Sequence, residues 1–199
     1  VGSSTLYKHT TGAQNNAIGF QALWGNISGS NNNTIGVNSL YACTTGSNNN
    51  ALGTSALGGT VGGNNNNAFG YYALLSNTSG SSNNAFGYSA GRYHADGTTT
   101  LTDPEFSVYI GFAARGKDNS DDNSVVIGGN TPIGLGANTT VIGTSATTLT
   151  RLYGNLGLGV DAPSAMAHFV KTTEQLRLGY DASYYSSFTV SSAGNLTLT

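Results

Sequence analysis

The sequence predicts an all-β protein built as a parallel β-solenoid of 17-residue repeats, and three observations carry that prediction. The first is a motif rewritten at constant interval: Asn15-Asn16-Ala17-Ile18-Gly19, Asn32-Asn33-Thr34-Ile35-Gly36, Asn49-Asn50-Ala51-Leu52-Gly53, Asn66-Asn67-Ala68-Phe69-Gly70 and Asn83-Asn84-Ala85-Phe86-Gly87, with the closing glycines 17 apart throughout. The second is a further glycine column in the same phase, Gly12, Gly29, Gly46, Gly63 and Gly80. The third is alternation within each copy, where Asn16, Ile18 and Phe20 alternate with Ala17, Gly19 and Gln21, the period of a strand rather than a helix. Two columns in phase over five copies make the repeat the unit of architecture.

The size of the unit decides how it folds. Seventeen extended residues reach about 56 Å, enough for one small closed coil that cannot bury its own apolar face. Coils stacked at about 4.8 Å can bury it, with equivalent residues forming ladders along the axis. Each copy reads as a short strand ended by glycine, then a second apolar pair (Ala22-Leu23, Ser39-Leu40, Ala56-Leu57, Ala73-Leu74), then a polar turn such as Thr44-Thr45-Gly46-Ser47. By alternation the Asn column Asn16, Asn33, Asn50, Asn67 and Asn84 shares a face with Ile18, Ile35, Leu52, Phe69 and Phe86. That face is expected to point inward, with the amides bonding up the ladder.

Taken in order, residues 1–92 form the regular solenoid. Gly2 lies one repeat before Gly19, and Leu6-Tyr7 with Thr11-Gly12 matches Leu40-Tyr41 with Thr45-Gly46, so the chain starts inside a repeat and is expected to be a segment of a longer protein. The step from Gly87 to Gly111 is 24, seven longer than the repeat, which predicts an inserted loop over 93–106. The pattern resumes over 107–153 at Val108-Tyr109-Ile110-Gly111, Ser124-Val125-Val126-Ile127-Gly128 and, after a shorter step of 15, Thr140-Val141-Ile142-Gly143. Over 154–199 the language changes to short alternating runs split by Gly, Asp and Ser turns, such as Ala167-His168-Phe169-Val170 and Asn195-Leu196-Thr197-Leu198, which predict a separate β segment.

Composition narrows the function classes. Charged residues are 8% of 199, against roughly a quarter in ordinary domains, and glycine supplies 29. A net charge of −2 without Lys/Arg runs offers no face to nucleic acid. No apolar stretch approaches the roughly 18 residues a membrane helix needs. The single cysteine, Cys43, excludes an internal disulfide, and no cofactor is implied. His9, His94 and His168 lack metal-site spacing, and the acidic run Lys117 to Asn123 lacks the glycine and terminal glutamate of a calcium loop, so no metal is expected. Asp96, Asp103 and Glu105 share the insertion and define an enzymatic alternative, acid–base cleavage of polysaccharide. The regular coils supply no further acid to complete such a site, and no Gly-x-Ser-x-Gly elbow is present, so no enzyme activity is expected.

The units Asn123-Ser124-Val125-Val126-Ile127-Gly128 and Val108-Tyr109-Ile110-Gly111-Phe112 resemble the head repeats of trimeric autotransporter adhesins, which are β-rolls of three chains about one axis. The longer form, Asn-Asn-Ala followed by an apolar residue, glycine and Ala-Leu, then Thr-x-Gly-Ser, is similar to repeats of bacteriophage tail fibres and bacterial surface fibres. So are Gly154 to Val160 with Asp161-Ala162-Pro163-Ser164, and Thr173 to Asp181. The 17-residue step is longer than that of adhesin heads, and nothing matches the self-cleaving chaperone domain that often ends phage fibres. The resemblance implies a homotrimer on a virion tail fibre or at a cell surface, attaching to a host-surface glycan or protein. A bacterial adhesin or extracellular filament subunit is the alternative of the same construction. Because attachment residues tend to lie on loops held by a rigid scaffold, Tyr93, His94, Asp96 and Phe106 of the insertion are the candidate receptor contacts. Gly19, Gly36, Gly53, Gly70 and Gly87 with the Asn column are expected to be structural rungs. Aromatic residues at variable positions, Trp24, Tyr41, Tyr71, Tyr72, Tyr88 and Tyr93, would suit either sugar stacking or contacts between chains.

Overall fold

A computed structural model of the chain describes residues 1–147 and, beyond them, five short strands. The chain divides into two compact units, Val1–Thr148 and Leu149–Thr199. In the first unit each repeat contributes one strand: β1 Asn16–Ile18, β2 Asn33–Ile35, β3 Asn50–Leu52, β4 Asn67–Phe69, β5 Asn84–Phe86, β6 Val108–Phe112, β7 Val125–Asn130 and β8 Thr140–Ile142. They pair in chain order as one parallel eight-stranded sheet. Through the regular copies each strand residue faces its own equivalent one copy on, as in Asn16 opposite Asn33, Ala17 opposite Thr34 and Ile18 opposite Ile35, and the register shifts by one only between β6 and β7, where Phe112 faces Asn130. One in-register strand per repeat makes each repeat one coil of a β-solenoid.

The rest of the coil is held by the same inter-coil ladder. Leu23 N–H donates to Ser39 O, Leu40 N–H to Ala56 O and Leu57 N–H to Ala73 O, at 2.9–3.0 Å. Closing so small a coil needs tight corners, and the backbone makes them in the left-handed region at fixed columns. One runs Gln14, Asn31, Asn48, Asn65 and Ser82, a second Gln21, Asn38, Ser55, Tyr72 and Ser89, and a third Leu23, Leu40, Leu57 and Leu74, all with φ between 48° and 62°. Such a conformation costs an L-residue roughly 1–2 kcal/mol. It persists because the hydrogen bonds of two neighbouring coils determine it at each corner.

Both glycine columns have a steric cause. A Cβ on Gly53, whose φ is +134°, would stand 2.6 Å from the carbonyl oxygen of Gly70, and one on Gly63 would stand 2.5 Å from that of Gly80. Coils therefore touch backbone to backbone along these two lines.

The core is narrow. Leu23, Leu40, Leu57 and Leu74 are completely buried and face the strand column Ala17, Thr34, Ala51, Ala68 and Ala85. The expectation that Asn16, Ile18 and their equivalents point inward is corrected here: the strands bury their middle residue and leave the flanking two open. The physical reason is width. The leucine column fills the interior, and only alanine or threonine fits between it and the sheet. Where the strand column enlarges to Tyr109, the leucine column shrinks to Gly91, and a Cβ there would lie 2.8 Å from the tyrosine ring.

The inward amide ladder is the preceding column. Asn32, Asn49, Asn66 and Asn83 are fully buried. Asn49 Oδ1 accepts from the backbone N–H of Asn66 at 2.9 Å and from its Nδ2 at 3.2 Å, while Asn49 Nδ2 donates to Gly63 O at 2.8 Å. The Asn16 column does bond up its own ladder, but outside: Asn16 Nδ2 to Asn33 Oδ1 at 2.7 Å and Asn50 Nδ2 to Asn67 Oδ1 at 2.7 Å.

In the second unit β9 Leu156–Leu158 pairs in parallel with β10 Ala167–Phe169. Strands β11 Leu176–Gly179, β12 Tyr185–Val190 and β13 Leu196–Leu198 form an antiparallel sheet. The sequence expectations for Gly154, Asp161-Ala162-Pro163-Ser164 and Thr173 lie outside the described residues.

Candidate functional site

Three surface features stand out from the regular scaffold. The first is the outer face of the sheet. Because the strands bury only their middle residue, the column Ile18, Ile35, Leu52, Phe69, Phe86, Ile110, Ile127 and Ile142 faces outward, one apolar side chain per coil. Ile18 and Ile35 are each 49% exposed and Ile142 56%. Phe20, Val37, Tyr71, Tyr88 and Phe112 are also exposed. Rings there stack between coils, Phe69 on Phe86 with centroids 5.0 Å apart and Tyr88 on Phe112 at 5.1 Å. Single exposed hydrophobes are ordinary, whereas an apolar column running along eight strands is a patch of the kind that in general marks an interaction site.

The second is the insertion. Its extra residues form a short hairpin between Arg92 and Leu101: Tyr93 bridges Thr100, His94 N–H donates to Thr99 O at 2.8 Å, and Gly97 N–H closes the turn on His94 O. Leu101 returns fully buried to the core. The hairpin is tied down on its flanks. The Arg92 guanidinium lies over the rings of Tyr72 and Tyr93, at 4.4 Å and 4.6 Å from their centroids. His94 Nε2 shares a 3.0 Å hydrogen bond with Asn119 Oδ1, which also accepts from Thr102 N–H.

The carboxylates here are engaged in building the loop. Asp96 accepts from Thr99 Oγ1 and from the Thr98 and Thr99 amides, which hold its carboxyl well below the usual range. Asp103 accepts from the hydroxyls of Ser79, Thr102 and Thr78, and the Ser79 hydroxyl foremost lowers its pKa. Of the four candidate receptor residues, Tyr93 and His94 are half-buried at the hairpin's base and Asp96 is exposed but engaged. Phe106 is 61% exposed with φ 53° and occupies the corner column of Ser82 rather than the hairpin. Candidate residues Tyr93, His94 and Asp96 thus share one hairpin, and Phe106 lies on the coil that follows.

The third feature is an aromatic ladder at the step of the repeat. Tyr7, Trp24 and Tyr41 stack with centroids 5.9 Å and 5.1 Å apart and planes within 9° of parallel, and Lys8 Nζ caps the Trp24 face at 4.0 Å. The next place in the column is Gly58, and the one after it Leu75. A cavity of about 360 Å³ opens there, bounded by Tyr41, Gly58, Leu75, Gln21, Asn38 and Ser55. Sequence reasoning named Trp24 and Tyr41 without their grouping; the signal that would have found it is a column of rings at positions 7, 24 and 41 that stops at a glycine.

One buried polar cluster lies apart from these surfaces. Asp121, fully buried in the column that holds glycine earlier, accepts from Tyr109 Oη at 3.1 Å and Ser124 Oγ at 2.8 Å. Burial, with Asp121 beside it, pushes the Tyr109 phenol far above its usual range. Among the described residues no three His, Cys, Asp or Glu side chains gather closely enough to hold a metal ion, and no helix is long and apolar enough to cross a membrane. Searches against protein-family models, curated proteins and solved structures found no match to this chain.

Proposed function

We propose that the chain is a structural and attachment segment of a homotrimeric fibre, most simply a phage tail fibre that meets a host-surface glycan or protein, acting on the virion or outside the cell. The observation that carries the proposal is the outward apolar column from Ile18 to Ile142. Six of its eight side chains, Ile18, Ile35, Leu52, Phe86, Ile110 and Ile142, are 36–56% exposed on a single line along the axis, and Phe69 and Ile127 are half-buried. Covering those open halves contributes roughly 1 kcal/mol apiece by area, as an upper estimate. Two more copies of the same chain offer the same column at the same spacing, which makes them its natural cover. The engagement of Asp96 and Asp103 with hydroxyl and amide donors supports a structural rather than catalytic insertion.

The test is the mass in solution by light scattering after size exclusion. The expected value is three times the 20.3 kDa chain. Ile35→Asp combined with Leu52→Asp is expected to reduce it to one chain while leaving the β circular dichroism intact. A wild-type protein that runs as a folded monomer at micromolar concentration overturns the proposal.

A further inference from the structure

The aromatic ladder ends at Tyr41, and the cavity of about 360 Å³ opens beside its last ring. Tyr41 and Leu75 stand two coils apart, about 9.6 Å at the spacing of paired strands, and the position between them is Gly58, towards which Leu75 leans, its Cδ1 3.0 Å from where a Cβ on Gly58 would stand. The far face of the Tyr41 ring is backed by the parallel rings of Trp24 and Tyr7, which fix its orientation. The side wall consists of Gln21, Asn38 and Ser55, one per coil on a left-handed corner column. Asn38 Oδ1 is buried, which leaves the Nδ2 of that amide to face outward. No charged residue lines the cavity.

We propose that this slot binds one pyranose ring of a neutral glycan. A flat ring enters the cavity beside Tyr41, with its C–H face on the negative face of the tyrosine ring. Its hydroxyls meet the amide of Gln21 and the hydroxyl of Ser55, groups that both donate and accept, and the Nδ2 of Asn38, which donates. An aromatic side chain from another protein would leave that polar wall unpaired. The combination of one apolar platform with a few polar groups that fix orientation is that of a small-ligand site. The proposal gives the attachment reading a ligand class and rests on that reading for its use. The slot itself is built by one chain, so its test is separate from the oligomeric state.

The test is saturation-transfer NMR on the whole chain with a panel of methyl pyranosides (gluco, galacto, manno and N-acetylglucosamine forms) and, as a competitor class, N-acetyltyrosinamide. At least one pyranoside is expected to bind in the millimolar range. Tyr41→Ala is expected to weaken it about tenfold, the scale of one lost stack. Gly58→Tyr, whose Cβ would stand 3.0 Å from Leu75 Cδ1 and 3.1 Å from Ser55 O, fills the cavity once the leucine methyl gives way and is expected to abolish binding; a retained β circular dichroism spectrum checks its fold. No pyranoside binding to the wild type, equal binding by both variants, or binding of N-acetyltyrosinamide alone each overturns the proposal. A trimer that binds no pyranoside removes the slot and leaves the fibre, whereas a monomer that binds through Tyr41 removes the fibre and leaves the slot.

Discussion

Asn49 and Asn50 are neighbours in sequence and opposites in energetics, and replacing each by leucine separates the two roles. Leucine has the same branched four-atom side-chain skeleton as asparagine, with bulkier methyl ends, but neither donor nor acceptor. At Asn49 it leaves the buried backbone N–H of Asn66 and the carbonyl of Gly63 without partners. Asn66 Nδ2 keeps Gly80 O at 2.9 Å, and Asn32 Oδ1 keeps the backbone N–H of residue 49, so those two groups are spared. Two orphaned buried groups at about 1–3 kcal/mol each give a loss of about 4 kcal/mol. For a chain of this length that corresponds to a fall in Tm of roughly 8–16 °C.

At Asn50 the same substitution removes the bonds from Asn33 Nδ2 and to Asn67 Oδ1. Both lie on the outer face and are exposed or only part-buried within the chain, so their loss orphans no fully buried group and the cost stays within about 1 kcal/mol. The assay is thermal unfolding followed by circular dichroism at one fixed protein concentration, because association shifts Tm. Equal shifts for the two variants, or a larger one for Asn50→Leu, would refute the assignment of inner and outer columns.

Gly53→Ala places a methyl group 2.6 Å from Gly70 O at φ +134°, and is expected to cost at least about 3 kcal/mol in a urea titration. Gly62→Ala, whose Cβ would meet nothing nearer than Thr45 Oγ1 at 3.6 Å, should stay within about 1 kcal/mol of wild type, and similar losses at both sites would contradict the backbone-contact argument. The lowered pKa values of Asp96 and Asp103 mean that each carboxylate stabilises its turn above the ordinary value of about 3.9 and loses that contribution only as pH falls through the lower folded value. Carbon-detected NMR titration should therefore show both carboxyls more than half ionised at pH 3.9, and half-titration at that pH would refute the hydrogen-bonding scheme. Desolvation pushes the Cys43 thiol up to about 11, so any stability linked to it is intact below about pH 8.5 and declines as pH rises from there towards the folded value. In thiol titration at pH 8 the native chain should react far more slowly than the urea-unfolded one, and comparable rates would place Cys43 at the surface.

What could be read from the residues was everything that depends on periodicity. The 17-residue phase of Gly19 to Gly87 implies stacked coils, because two backbones that touch once per repeat require glycine at each contact. The 24-residue step marks the insertion, because extra residues must leave the ladder and rejoin it in phase, as Leu101 does. Alternation shows that Asn16 and Ile18 share a face, and they do. Which face is inner was beyond alternation, since both faces carry a regular column and the choice turns on interior width. Only the closed coil shows that the leucines at 23, 40, 57 and 74 already fill that width, forcing Ala17 in and Ile18 out. In the same way residues 7, 24, 41 and 58 are 17 apart in the sequence, but only packing turns three of them into a stack and the fourth into an opening. Local pattern sets the pitch of this protein, while the competition of side chains for a narrow interior decides which surface it presents.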